Sequence, residues 1–326
     1  MEAIVKTVNL KKYFPHEKTI FKVKSYIRAV DGVDVSLYPG EIVGLVGESG
    51  SGKTTLGKVL AKLEDPTEGK VLFQREDVTK VKGKNLKSFR RKVQMIFQNP
   101  YTSFDPRYSI HSSLLEPINT HIRGLAEEEK RGMVHKILED VGLMPPKEFL
   151  YRYPHEMSGG QLQRASIARA MLLNPQLLIA DEPTSMLDAS LRVGILNLLM
   201  NIKKEHKSSI LFITHDIATA KHICDRIIVM YLGKVVEVAE AEELIENPMH
   251  PYVEALMGSV LTANPKAPEA EVRISGEPQL SIKSKGCRLA PRCLYAEEAC
   301  KTIEPPLLEV KKGHFAACHK FSRSSK

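Results

Sequence analysis

The densest group of residues able to do chemistry is the octet GESGSGKT with one more threonine: Gly47, Glu48, Ser49, Gly50, Ser51, Gly52, Lys53, Thr54 and Thr55. Glycines at 47, 50 and 52 let the backbone turn and approach an anion where a Cβ would block it. Successive N–H groups can then wrap phosphate oxygens at a helix N-terminus. Lys53 supplies a cation for the outer phosphates of a nucleoside triphosphate, and the Thr54 hydroxyl is a hard oxygen ligand for Mg2+. The competing reading is a chance glycine-rich turn. The flanks argue against it, because the apolar run 42–46 reads as a buried strand and 54–63 as a helix, the order a phosphate loop needs.

A second apolar run, 177–180 in PQLLIADEPTS, ends on Asp181 and Glu182. A carboxylate at a strand end beside a phosphate loop can hold Mg2+ through water, and its neighbour can orient or deprotonate an attacking water. An acidic pair after a strand is more often a cap or a solvated turn; the phosphate loop upstream reverses that preference. Between the two lies MSGGQLQRASIARAM, in which Ser158, Gly159, Gly160 and Gln161 precede a helical segment. This is another donor-rich helix start, against which stands an ordinary serine-capped helix. A single triphosphate has no need of two such sites in one chain.

The elements that must position these groups fit within 326 residues, enough for one large domain and an appendage. Hydrophobic residues make up 43% against 26% charged, an ordinary globular balance. No apolar run approaches the roughly 20 residues of a membrane-spanning helix, and MEAIVKTVNLKKYF lacks the pattern of a signal peptide. A chain that stays in the cytoplasm and meets membranes only through partners is the expectation. The formal charge of +8 is concentrated in VTKVKGKNLKSFRRK and the C-terminal tail. Without interleaved aromatics it reads as a solvated surface, so no nucleic-acid partner is expected.

With these motifs in this order the sequence resembles the ABC ATPases over residues 5–246. The resemblance implies a mixed α/β P-loop NTPase core, an antiparallel β subdomain near the N-terminus and a helical subdomain over about 99–162. An ATPase domain over 1–246 and a small cysteine-containing extension over 247–326 follow. It implies that Ser158, Gly159, Gly160 and Gln161 contact ATP bound to the opposite subunit of a dimer. It casts Gln98 as the hinge glutamine touching Mg2+ and the catalytic water, Asp188 as the aspartate joining two sites across a dimer, and His215 as the γ-phosphate sensor. Tyr13 matches the aromatic that stacks on adenine, although a core role is as plausible and Phe14 is adjacent. The catalytic set is thus Glu182, His215 and Gln98, with Mg2+ held by Thr54, Gln98 and Asp181.

QNPYTSFDPR, ENPMHPYVEALMGSV and the tail resemble the ATPases of oligopeptide and dipeptide importers, of the F type. The implied partners are a paralogous ATPase subunit in a heterodimer rather than a homodimer, two transmembrane permease subunits and an extracytoplasmic solute-binding protein. Relatives in this group move oligosaccharides or nickel as well, so the cargo stays open. Met186 stands where a small residue is usual, and Phe104-Asp105 replaces the commoner Leu-Asn. A soluble ABC ATPase acting on nucleic acid or ribosomes is the alternative from another class. A metabolic kinase would leave SGGQ and His215 without purpose.

Four of the five cysteines, Cys287, Cys293, Cys300 and Cys318, crowd into the extension, while Cys224 sits in a strand-like segment of the core. Clustered thiols suggest a metal centre where disulfides are disfavoured. Their spacing lacks the paired CxxC of zinc ribbons, whereas a [4Fe-4S] cluster accepts thiolates from irregular loops. GCRLAPRCLYAEEAC and GHFAACH also resemble the cluster-binding segment of peptide-importer ATPases. Zinc remains open, with His314 and His319 as further ligands, as do unliganded thiols.

Overall fold

Apolar runs bounded by turn residues give strands buried on both faces: Leu177–Asp181 and Ser209–Thr214 are buried at every position, as is Ile42–Val46. Strands of this kind lie in parallel sheets covered by helices. The computed structural model describes residues 2–18, 23–261, 274, 276 and 285–322. Much of the extension's linking stretch and the last four residues of the basic tail lie outside the described residues. The chain divides into two compact units, Met1–Ile4 with Tyr38–Glu41 and Lys80–Ile213, and Val5–Leu37 with Ile42–Thr79 and Thr214–Lys326.

In the first unit Val93–Ile96, Leu177–Asp181 and Ser209–Thr214 run parallel in that order, with Val93 opposite Leu177 and Leu177 opposite Ser209. Helices Ile110–His121, Glu127–Asp140 and Gly159–Met171 pack on one another around Leu114, Ile118, Val134, Leu138 and Leu162, all buried. Arg164 closes the junction by donating to the Val141 carbonyl at 2.6 Å, satisfying an orphan carbonyl at a helix end. The basic stretch folds as the helix Gly83–Lys92, in which Phe89 alone is buried, so its cations form the solvated face the sequence suggested.

The second unit holds an antiparallel sheet of Val5–Lys18, Val23–Val33, Ser36–Leu37, Glu68–Phe73 and Glu76–Asp77. It also holds Ile42–Val46 parallel to Arg226–Tyr231, followed antiparallel by Lys234–Glu240, His314–Ala316 and Leu308–Lys311. The cysteine-bearing extension is therefore knitted to the core by a strand ladder. Glu237, fully buried, accepts from the backbone N–H groups of Met249 and His250 and faces His314 Nε2 at 2.8 Å. A buried carboxylate is tolerable only with such partners.

Two local expectations change. The helix after the glycine loop spans Lys53–Leu60, shorter at its C-terminal end than the sequence suggested. Cys224 is buried as expected but follows the helix Ile217–Ile223, and the strand begins only at Arg226. Its sulfur abuts Gly44, where an added Cβ would lie 2.9 Å from it.

Candidate functional site

In the second unit the octet runs from the end of the buried strand Ile42–Val46 into the helix Lys53–Leu60. Two of its glycines are dictated by close backbone approach. A Cβ on Gly47 would stand 2.1 Å from the Met230 carbonyl oxygen, and one on Gly52 1.9 Å from that of Ala29. Gly52 is also left-handed at φ 102. Lys53 is buried, and its Nζ donates to the carbonyls of Gly47 at 2.7 Å and Glu48 at 2.9 Å. The loop thus curls around an ammonium group, which sets a cation among the N–H groups of an anion cradle.

The loop is braced by residues that belong to no nucleotide-binding sequence motif. The Glu48 N–H donates to the Tyr252 hydroxyl at 2.8 Å, and Tyr252 packs on Tyr231 with ring centroids 4.7 Å apart. Arg292 donates to the Glu48 carboxylate at 3.1 Å and to the Tyr231 hydroxyl at 3.1 Å. Tyr13, on the first strand, donates to Asp31 Oδ1 at 2.5 Å, with the Arg28 guanidinium 5.8 Å from its ring centroid. Burial and that hydrogen bond push the Tyr13 phenol above its ordinary pKa. Burial opposes ionisation of Asp31, but the Tyr13 hydrogen bond and the cations of Lys234, Arg288 and Arg28 hold it below the usual carboxylate range. His215 is exposed just beyond Ser209–Thr214, before Asp216, whose side chain caps the next helix.

In the first unit Gln98 and Glu182, 84 residues apart, come together: Gln98 Nε2 donates to Glu182 Oε2 at 3.0 Å. Glu182 is left-handed at φ 45, held there by its N–H on the Ile213 carbonyl at 2.9 Å and by a turn to Ser185. A non-glycine residue in that region costs about 1 kcal/mol or more, and such strain gathers at functional sites. Asp181 is buried beside it. Ser158 N-caps Gly159–Met171 in a reciprocal box, accepting from the Gln161 N–H while Gln161 Oε1 accepts from the Ser158 N–H. The capped-helix reading is therefore realised within the chain, with the Gln161 N–H taken up by the cap. Asp188 occupies the N-cap position of Ala189–His206, though its side chain makes no capping bond. Met186 is exposed.

The four extension cysteines are free thiols lining one cavity of about 380 Å³ together with Leu289, Tyr295 and His319. The Cys287 N–H donates to the Cys300 carbonyl at 2.8 Å, drawing two of them together. Burial pushes the Cys287 thiol up to about 11, and burial raises Cys293 and Cys318, neighbouring thiols adding to each. Among the described residues no group of three or more His, Cys, Asp or Glu side chains is placed to hold a metal ion. A mixed Cys/His zinc site through His314 is overturned: its ring nitrogens face Glu237 at 2.8 Å and Glu243 at 3.3 Å, away from the lining of that cavity. His319 does line it, but its Nε2 faces the Ile303 carbonyl at 2.9 Å.

Residues 30–185 match the family profile described as ABC transporter, and residues 236–300 the one described as oligopeptide/dipeptide transporter, C-terminal region. An oligopeptide transport ATP-binding protein of Bacillus subtilis is 43% identical, the alignment covering 98% of each chain. A di/tripeptide transport ATP-binding protein of Pseudomonas aeruginosa is 40% identical over 98% of each. Among solved structures, a dimeric ATP-binding cassette in a post-hydrolysis state with ADP and Pi superposes with a TM-score of 0.66 at 30% identity, covering 73% of this chain and 98% of the other.

Proposed function

This chain belongs to the ABC transporter family, and on that premise we propose that it is the ATP-hydrolysing subunit that energises a membrane importer of di- or oligopeptides. One observation carries the reading: a phosphate loop curled around a buried lysine shares its chain with the peptide-transporter C-terminal segment. The likeness to transport ATP-binding proteins supports a peripheral place at the cytoplasmic face, held by permease subunits; no helix among the described residues is long and apolar enough to cross a membrane.

The nucleotide-site roles follow from the chemistry of each group. The backbone of residues 47–55 cradles the phosphates and Lys53 neutralises the outer two. Tyr13, its hydroxyl pinned by Asp31, offers a ring face to adenine. The Thr54 hydroxyl, the Asp181 carboxylate and the Gln98 amide oxygen are hard donors of the kind Mg2+ takes, and Gln98 keeps that oxygen available because its Nε2 is spent on Glu182. When bound there, Mg2+ would supply positive charge against the phosphates. Glu182, fixed by its backbone and by Gln98, accepts the proton of the attacking water. His215 donates toward the γ-phosphate and reports its loss. The start of this helix, Ser158, Gly159, Gly160 and Gln161, completes a site on a paralogous partner, with Asp188 at the junction. Loss of the γ-phosphate then releases the closed dimer, and the helical part around 99–162 passes the motion to the permeases.

For the extension we read Cys287, Cys293, Cys300 and Cys318 as the thiolate ligands of a [4Fe-4S] cluster. The shared cavity of about 380 Å³ supports it. A cluster spreads its thiolates over separate irons, so thiols standing around a cavity suit it, whereas a single zinc needs them converged. Its contribution is to staple a loop-rich segment.

The test is reconstitution with the permeases and a solute-binding protein. ATP hydrolysis that rises when the binding protein carries di- or oligopeptide supports the reading. Hydrolysis indifferent to peptide but stimulated by an oligosaccharide or nickel overturns the cargo. Iron and sulfide analysis of anaerobically purified protein tests the cluster, at about four of each per chain.

A further inference from the structure

The cysteine-bearing segment carries two arginines, one directly after Cys287 and one directly before Cys293, and neither faces solvent freely. Arg292 lies on the Glu48 carboxylate at 3.1 Å, its side chain only 11% exposed, and also donates to the Tyr231 hydroxyl. Tyr231 packs on Tyr252, which accepts the Glu48 N–H. Arg288 pairs with Asp31, the residue that pins the Tyr13 hydroxyl, and donates to the Leu232 carbonyl. One short segment of the extension thus grips the second residue of the phosphate loop and, through Asp31, the aromatic on the first strand.

Glu48 presents an electrostatic difficulty. Its carboxylate belongs to a loop that must accept a polyanion, and an unpaired negative charge there repels phosphate. Arg292 removes that repulsion, and its burial makes the pair less screened than a surface one. We propose that the cysteine-bearing segment is a positioning element of the nucleotide site, with Arg292 neutralising and fixing Glu48 so that the loop binds ATP. This rests on the reading of residues 47–55 as the ATP site, and it holds whatever the four thiols carry. Arg292 acts through Glu48 and takes no part in the chemical step.

The sign of the coupling follows. Without Arg292 the loop keeps the Glu48 charge and loses its tether, so ATP binds more weakly; without the Glu48 charge the arginine is no longer needed for neutrality. The pair acts alike on bound ATP and on the transition state, so its loss falls on KM rather than kcat.

The experiment uses the full chain and titrates a fluorescent ATP analogue against the wild type, Arg292→Gln, Glu48→Gln and the double variant, with steady-state hydrolysis in parallel. Failure of the wild type to bind the analogue overturns the ATP-site reading itself. With wild-type binding in hand, Arg292→Gln is expected to raise Kd and KM about tenfold, leave kcat within about twofold, and steepen the salt dependence. Adding Glu48→Gln is expected to return Kd to within about threefold of wild type. Unchanged Kd in Arg292→Gln, or a double variant as weak as Arg292→Gln, overturns the proposal. Arg292→Lys keeps the test decisive should Arg292→Gln misfold: retaining the cation, it is expected to bind within about threefold of wild type, and a tenfold loss contradicts the assignment.

Discussion

Replacing Gly52 by alanine attacks the phosphate loop through its backbone. The added Cβ would stand 1.9 Å from the Ala29 carbonyl oxygen, which belongs to the strand Val23–Val33 and cannot rotate away. Real contacts of that kind do not fall below 3.0 Å, so loop and strand must part by about 1 Å. Gly52 also has φ 102, where a side chain costs about 1–2 kcal/mol, and overpacking adds about 1–3. If the loop yields, roughly 2–5 kcal/mol comes out of phosphate binding, a loss of at least about 30-fold in ATP affinity. The assay is ATP-analogue titration beside thermal unfolding. Gly132→Ala serves as control, since that helical position has nothing within 4 Å and alanine there should stabilise by about 0.5–1 kcal/mol. Wild-type affinity and melting in Gly52→Ala would refute the close-packed loop.

Ser158→Ala removes the cap of Gly159–Met171 and is expected to cost about 1 kcal/mol in urea unfolding. It should also slow hydrolysis in the assembled dimer, whereas the isolated chain's ATP affinity should hold. His250 is buried at 1% exposure, its Nδ1 accepting from the Tyr252 N–H, and burial pushes its pKa down to about 4. Because the unfolded histidine titrates near 6.5, the stability tied to its neutral form is complete above that pH and is lost as pH falls from about 6.5 toward 4. By pH 5.5 the loss is on the order of 1 kcal/mol. His314, whose burial is outweighed by Glu237 and Glu243 so that its pKa is raised, acts in the opposite sense. Unfolding of wild type and His250→Gln at pH 7.5 and 5.5 separates them: the variant should lack that loss of stability on acidification.

Strands such as Leu177–Asp181 were legible because an unbroken apolar run ended by charge fits a strand buried on both faces. The Lys53–Leu60 helix start was legible from its glycines, which mark where a backbone must come close. The Gln98–Glu182 contact joins residues 84 apart and was available to sequence only through resemblance. Arg288, Arg292 and Asp31 were not legible: a surface ion pair and one bracing a loop look alike until folding brings residues 244 or 257 positions apart into contact. Cys224 reads as part of a strand because the apolar run after it masks the strand's true start two residues later.

The most direct measurement is single-turnover ATP hydrolysis by the reconstituted transporter carrying either the wild-type chain or Glu182→Gln, with ATP binding followed on the same samples. A general base positioned by Gln98 and by its own strained backbone predicts hydrolysis reduced by about 100-fold or more, with ATP affinity within a few-fold of wild type. Hydrolysis at the wild-type rate would contradict the assignment of Glu182, and no hydrolysis by the wild-type assembly would contradict the function itself.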